Sequence, residues 1–313
     1  MLADNFWETR LAWLRYLFGW LAYAGMRAVV LLPFSWQLAM GKAFGRATGV
    51  LARGRNRVVA RNLAVCFPEL PPAARERLRR EHFASLGASL FEMSMGWFGS
   101  EQKILSLFRV EGAEHLRAAL ERGRGVILST AHFTTMELSW PALKALCPRL
   151  TGMYKWQRNP VMNKAMYRGR SRSYAVQIAN DNVRAMLRQL AQNSAFIYLG
   201  DQSYAGKGSA LLPFFGEPAM TNIALPRIAR ISGATVLPCF CRRLADDSGY
   251  VLTIGAPFDG LPSGDELEDM RRLTRALEDY IRLCPDQYWW IHKRFKSRPP
   301  PLPNLYAADR PAS

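Results

Sequence analysis

The feature that most constrains this chain is a change of hydrophobic period near residue 126. Over 71–98 the apolar residues Leu78, Phe83, Leu86 and Leu90 recur at helical spacing, after an opening at Pro71 and Pro72. Val126-Ile127-Leu128, set off by Gly123 and Gly125, then forms a short apolar run of the kind that makes a buried strand. A helical stretch through Met136 and Leu143 follows. The alternation continues with helix over 182–192, strand over 196–199, helix over 221–232 and strand over 234–240. A second strand over 250–254 follows a turn at 246–249. A long helix over about 264–283 opens at Ser263, with Glu266 three residues on in a capping-box pattern. This alternation predicts an α/β fold: a mixed, mostly parallel sheet flanked by helices. The tail from Pro299 is Pro-rich and is expected to run extended over the surface.

The first 45 residues follow another rule. From Tyr16 to Gly41 the only charge is Arg27. A span needs about 20 apolar residues, so the window is long enough. Arg27 sits at its centre, where a charge costs roughly 2.5–3.5 kcal/mol, and Pro33 follows. Three readings stand: a transmembrane anchor with Arg27 snorkelling, an interfacial helix pair with Trp7, Trp13, Trp20 and Trp36 at headgroup depth, or a buried helix pair. Asp4 and Glu8 ahead of the run disfavour a cleavable signal peptide. The formal charge of +17 points to an anionic partner, among which nucleic acid, anionic lipid and an acidic carrier protein all qualify. Five cysteines, an odd count without C-x-x-C, argue against a disulfide framework and a zinc site, and fit a reducing compartment.

Four segments could carry chemistry. Of four histidines, His82 and His115 lie among charged residues and read as exposed helix side chains. His132 leaves a buried strand and enters a helix, where ligands of open α/β sheets bind. Glu137 lies five residues on. On one helix the two would point about 140° apart, but they can meet if His132 precedes the helix and Glu137 sits in its first turns, with Thr134 as N-cap. A carboxylate beside an imidazole fixes its tautomer and supports it as a general base. The second segment runs from Tyr154 to Pro160, then Arg168 to Arg172; its arginines suit phosphate or carboxylate, and a solvated basic loop is the other reading. The third is Asp201-Gln202, ending a strand before a Gly-rich loop. The fourth, Gln287 to Pro299, interleaves aromatic and basic residues. It could stack single-stranded nucleic acid, lie in a lipid interface or cap a core.

Taken in order along the chain, these blocks resemble the late acyltransferases of lipid A biosynthesis, the lauroyl and myristoyl transferase family of Gram-negative bacteria. The resemblance also includes Arg61-Asn62-Leu63, Cys66-Phe67-Pro68-Glu69 and Pro213-Phe214-Phe215-Gly216. It implies a glycerolipid-acyltransferase-like fold, with 1–45 as an N-terminal membrane-anchoring helical segment and 46–313 as the acyltransferase domain. It implies transfer of a lauroyl-like acyl chain from acyl carrier protein to a hydroxyacyl hydroxyl of a lipid A precursor, at the cytoplasmic face of the inner membrane. His132 would be the general base and Glu137 its partner, with Arg158, Arg170 and Asp201 at the substrate. Neither cofactor nor metal is required, and nucleic acid is not an expected partner. A related enzyme acylating a glycerophospholipid or another glycolipid is the alternative. Tyr154-Lys155-Trp156-Gln157 departs from the family's usual Tyr-Arg-Pro-Asn-like run.

Overall fold

In the computed structural model, which describes residues 3–179 and 182–307 and side chains from Tyr16 onward, seven strands form one sheet. Across it lie β1 (Phe108–Glu111), β9 (Tyr250–Ile254), β8 (Thr235–Arg243), β2 (Val126–Thr130), β5 (Ala195–Leu199), β3 (Leu150–Tyr154) and β4 (Val176–Ala179). Every neighbouring pair is parallel except β8 with β9. The mixed, mostly parallel sheet expected from the alternation is present.

A strand covered on both faces must be apolar throughout rather than alternately. Val126, Ile127, Leu128, Ala195, Phe196 and Leu237 accordingly have no exposed surface. Successive side chains still point to opposite faces. Val126 and Leu128 pack with residues of α6 (Ala113–Glu121) and α7 (Met136–Leu146). Ile127 packs with residues of α9 (Val183–Ala191), α10 (Ala224–Ser232) and α11 (Glu266–Leu283).

Residues 221 and 222 belong not to α10 but to a separate hairpin, β6 (Ser209–Phe214) with β7 (Glu217–Asn222). Its two-residue turn is Phe215-Gly216, both left-handed at φ 50 and 79, the geometry that matches strand twist. The cap of α11 is Asp265, which accepts from the Leu267 and Glu268 amides at 2.9 and 3.0 Å, and not Ser263. The tail folds back: Tyr306 is buried and donates to Asn62 at 2.6 Å.

Ahead of the sheet come α1 (Ala3–Val29), α2 (Phe34–Leu51), α3 (Arg53–Cys66), α4 (Pro72–Phe98) and α5 (Glu101–Leu105); α8 (Pro160–Arg170) lies between β3 and β4. Pro33 splits the apolar window into two helices. Among the described residues, no helix is long and apolar enough to cross a membrane. Arg27 lies over the Phe98 ring, 5.6 Å from its centroid, and so has a partner within the protein. Nor is the pair buried: Phe18, Trp20, Leu31 and Trp36 are 66, 59, 87 and 62% exposed. Helix α2 runs unbroken through residue 45 and crosses α4 at glycines, where a Cβ on Gly45 would run into the Phe83 carbonyl.

Two polar groups of α4 are buried, and the first corrects the reading of His82 as an exposed helix side chain. His82 has no exposed surface; its Nδ1 lies 3.0 Å from the Asp286 carbonyl. Burial lowers its pKa to about 4. A histidine neutral when folded resists protonation, so this stability is present above the unfolded value of 6.5 and is lost as pH falls from 6.5 towards 4. The loss should be on the order of 3 kcal/mol. His82→Gln should flatten this part of a stability-against-pH curve measured by urea unfolding; an unchanged curve would show that His82 does not set it. His115 is half-buried, its Nδ1 2.9 Å from the Ile254 carbonyl. The second group is Glu92, which accepts from Arg243 Nε and Nη2 at 2.7 and 2.9 Å and from the Tyr250 hydroxyl at 2.6 Å. The Glu92 and Arg243 side chains are at most 3% exposed.

Candidate active site

Strands β2 and β5 lie side by side, parallel, with Thr130 opposite Leu199. Two residues beyond each of these ends stand His132 and Asp201. The register therefore brings an imidazole and a carboxylate together at the carboxyl edge of the sheet, where open α/β folds bind ligands. His132 Nδ1 is 2.7 Å from Asp201 Oδ1, and the His132 backbone N–H donates to Asp201 Oδ2 at 3.1 Å. The Tyr288 hydroxyl donates to the same Oδ2 at 3.2 Å. With a carboxylate at Nδ1, the imidazole carries its proton there and turns the Nε2 lone pair outward. The Asp201 side chain is 3% exposed and that of His132 25%.

The electrostatics follow from this pairing. Burial pushes the His132 pKa down, but the charge and hydrogen bond of Asp201 push it up further. Glu137 adds to the rise, Arg170 opposes it, and the net shift is upward. Burial raises Asp201, yet His132 holds it below the usual carboxylate range. Burial and the Asp201 charge keep the Tyr288 phenol protonated, hence a donor.

Glu137 stands in the first turn of α7, as expected, but it does not hold His132. It is engaged by Arg170, whose Nε donates to both carboxylate oxygens at 3.1 and 3.2 Å and whose Nη2 makes a further, shorter contact. Trp97 Nε1 donates to it at 3.0 Å. The cause is packing: α4 lies against both α7 and α8, and Trp97 of α4 and Arg170 of α8 meet Glu137 there. Thr134 is not the cap of α7; its hydroxyl pairs with Ser85 at 2.9 Å. Thr135 holds the cap position and donates to the Cys241 carbonyl. Arg158 is exposed in the loop before α8 and makes no hydrogen bond or ion pair with the other four expected residues. Arg172 donates to the Trp97 and Gly99 carbonyls, closing the end of α4.

The fourth segment caps a core. Tyr288, Trp290 and Phe295 are buried, so they are not displayed for stacking. It also closes the site: Trp289 N–H donates to the His132 carbonyl and Thr134 N–H to the Gln287 carbonyl. Asn62 of α3 fastens it, donating to the Trp290 and His292 carbonyls at 2.7 Å each. Two neighbours received no role from the sequence. Gln202 Nε2 lies 3.1 Å from His132 Nε2 and 2.6 Å from His292 Nε2. Strand register was the available signal for Asp201, and its neighbour follows from it.

Fold and site define an α/β protein with a carboxylate-held histidine at the strand ends of a mostly parallel sheet. Residues 6–297 match the family model described as bacterial lipid A biosynthesis acyltransferase, and the chain belongs to that family. It is 33% identical over 294 residues to the lipid A biosynthesis palmitoleoyltransferase of Escherichia coli K12, covering 92% of this chain and 94% of that one. To the lauroyltransferase of the same organism it is 31% identical over 293 residues, covering 93% and 95%. To the myristoyltransferase it is 27% identical over 289 residues, covering 91% and 89%.

Proposed function

We propose that the protein transfers a fatty acyl chain of lauroyl-like length from acyl carrier protein to a hydroxyacyl hydroxyl of a lipid A precursor. The observation that carries this reading is the His132–Asp201 pair, which turns an imidazole lone pair outward at the sheet edge. His132 acts as general base on the acceptor hydroxyl, and Asp201 orients it and offsets its developing charge. Asp201 thus takes the role the sequence gave to Glu137. Glu137 instead fixes Arg170, which with Arg158 serves anionic groups of the substrates.

The setting supports the same reading. The exposed apolar side chains of α1 and α2 fit helices lying in a lipid interface, on the cytoplasmic side of the inner membrane. A formal charge of +17 suits an acidic carrier, a phosphorylated acceptor and an anionic leaflet.

The test is direct. Purified protein is incubated with lipid A precursor and lauroyl-, myristoyl- or palmitoleoyl-loaded carrier, and the products are weighed. The expected result is a mass gain of one acyl chain, fastest with lauroyl. Transfer only to a glycerophospholipid would overturn the acceptor assignment.

A further inference from the structure

We propose that the side-chain amide of Gln202 is the hydrogen-bond donor for the negative oxygen that develops on the acyl carbonyl, and that His292 positions it there. This rests on His132 being the general base of acyl transfer.

The amide is held at both ends of its peptide. Before it, Asp201 is fixed by His132 and Tyr288. After it, the Ser203 hydroxyl donates to the Lys296 carbonyl at 2.8 Å. The side chain then places one nitrogen, with two hydrogens, between two ring nitrogens: His132 Nε2 at 3.1 Å and His292 Nε2 at 2.6 Å. The two rings stand 5.9 Å apart at 64°. An NH₂ group can serve both only if each ring nitrogen offers a lone pair. His132 does so because its proton is on Nδ1, facing Asp201. His292 is kept neutral by burial, which lowers its pKa to about 4, and in the tautomer protonated at Nδ1 it offers its Nε2 lone pair to the amide.

The resting site therefore has an amide hydrogen on the lone pair that must take the substrate proton. An acceptor hydroxyl reaching His132 displaces that hydrogen, while the other stays on His292. The freed N–H remains beside the attacking oxygen. That oxygen then adds to the thioester carbonyl carbon, and its proton passes to His132 Nε2. A C–O bond forms, and the carbonyl oxygen becomes the anion that the freed N–H meets. Once protonated, His132 Nε2 no longer accepts, so the amide has no reason to return to it. Collapse restores the C=O bond, breaks the C–S bond and sends the proton from His132 to the leaving thiolate. A donor placed for the anion rather than for the ground-state carbonyl accelerates the step selectively.

The experiment compares wild type, Gln202→Ala, Gln202→Glu, His292→Leu, His292→Gln and His132→Ala in one transfer assay across pH. Gln202→Ala should lower kcat by roughly 10²–10³, with KM for both substrates within about threefold. The acid limb set by His132 should not move. Gln202→Glu keeps the shape, loses the donor and should lose at least as much. His292→Gln keeps an acceptor at the right reach and should stay within about threefold of wild type, whereas His292→Leu should fall by tenfold or more. If Gln202→Ala keeps kcat within about fivefold, or loses activity only through KM or a moved acid limb, the assignment is overturned. Transfer that survives in His132→Ala overturns the function reading and this assignment together. Normal wild-type and His132→Ala behaviour beside an unaffected Gln202→Ala overturns this assignment alone.

Discussion

Asp201→Asn is expected to lower kcat by roughly 10³–10⁴ with little change in KM. The two oxygens of Asp201 accept three hydrogens: His132 Nδ1–H on one, and the His132 amide and Tyr288 hydroxyl on the other. An asparagine can satisfy the amide and the phenol only by turning its oxygen to them. Its NH₂ then faces Nδ1, which must accept, so the imidazole proton moves to Nε2 and the lone pair points away from the substrate. The pH profile supplies an independent sign. Asp201 raises the His132 pKa, and the base works only when neutral, so wild-type activity should fall as pH drops through a value above the ordinary imidazole 6.5. Without the carboxylate charge, the acid limb of whatever activity remains should move to lower pH. Glu137→Gln should act through Arg170 and cost less. If Asp201→Asn retains a tenth of wild-type kcat while Glu137→Gln loses most of it, the catalytic pairing belongs to Glu137 after all.

Glu92→Ala is expected to destabilise the protein by about 3–5 kcal/mol, because it leaves the Arg243 guanidinium buried and uncompensated. The Tyr250 hydroxyl loses its acceptor as well. Replacing both charges together, with Glu92→Leu and Arg243→Met, should recover much of the loss, since a packed apolar pair carries no desolvation cost. Urea unfolding of the single and double variants decides this, and a single-variant loss under about 1 kcal/mol would contradict it. The same network reaches the site. Arg243 donates to Ser85, which pairs with Thr134, and its backbone is held by Gln287. Residual activity of Glu92→Ala should therefore fall before global unfolding is complete.

Four of the seven strands, β2, β5, β8 and β9, were legible because each carries a short apolar run near a glycine, a pattern that depends on neighbours only a few residues away; β1, β3 and β4 were not read. Strand 250–254 has the boundaries expected of it. The hairpin was not legible, since Pro213 and Pro218 within it read as breakers while both sit where an isolated two-stranded ribbon tolerates them. His132 was singled out from its place at a strand end. Its hydrogen-bond partner was expected to be Glu137, the nearest carboxylate in sequence, whereas the carboxylate nearest in space is that of Asp201. Asp201 is 69 residues away, and only the β2–β5 pairing brings it close. The burial of His82 escaped for a like reason. Helical charge spacing does not reveal that the Asp286 carbonyl will cover that face.

The fastening of the site by Tyr288, Trp289 and the Asn62–Tyr306 link has a consequence for synthesis. Strands β2 and β5 leave the ribosome well before residues 287–306, so the sheet can form while its reactive edge still lacks the phenol that steadies Asp201. A nascent chain arrested near residue 286 would carry His132 and Asp201 on a largely formed scaffold and remain without a finished site. Competence arrives only once residues 287–306 have been made and have packed against α3 and Asp201.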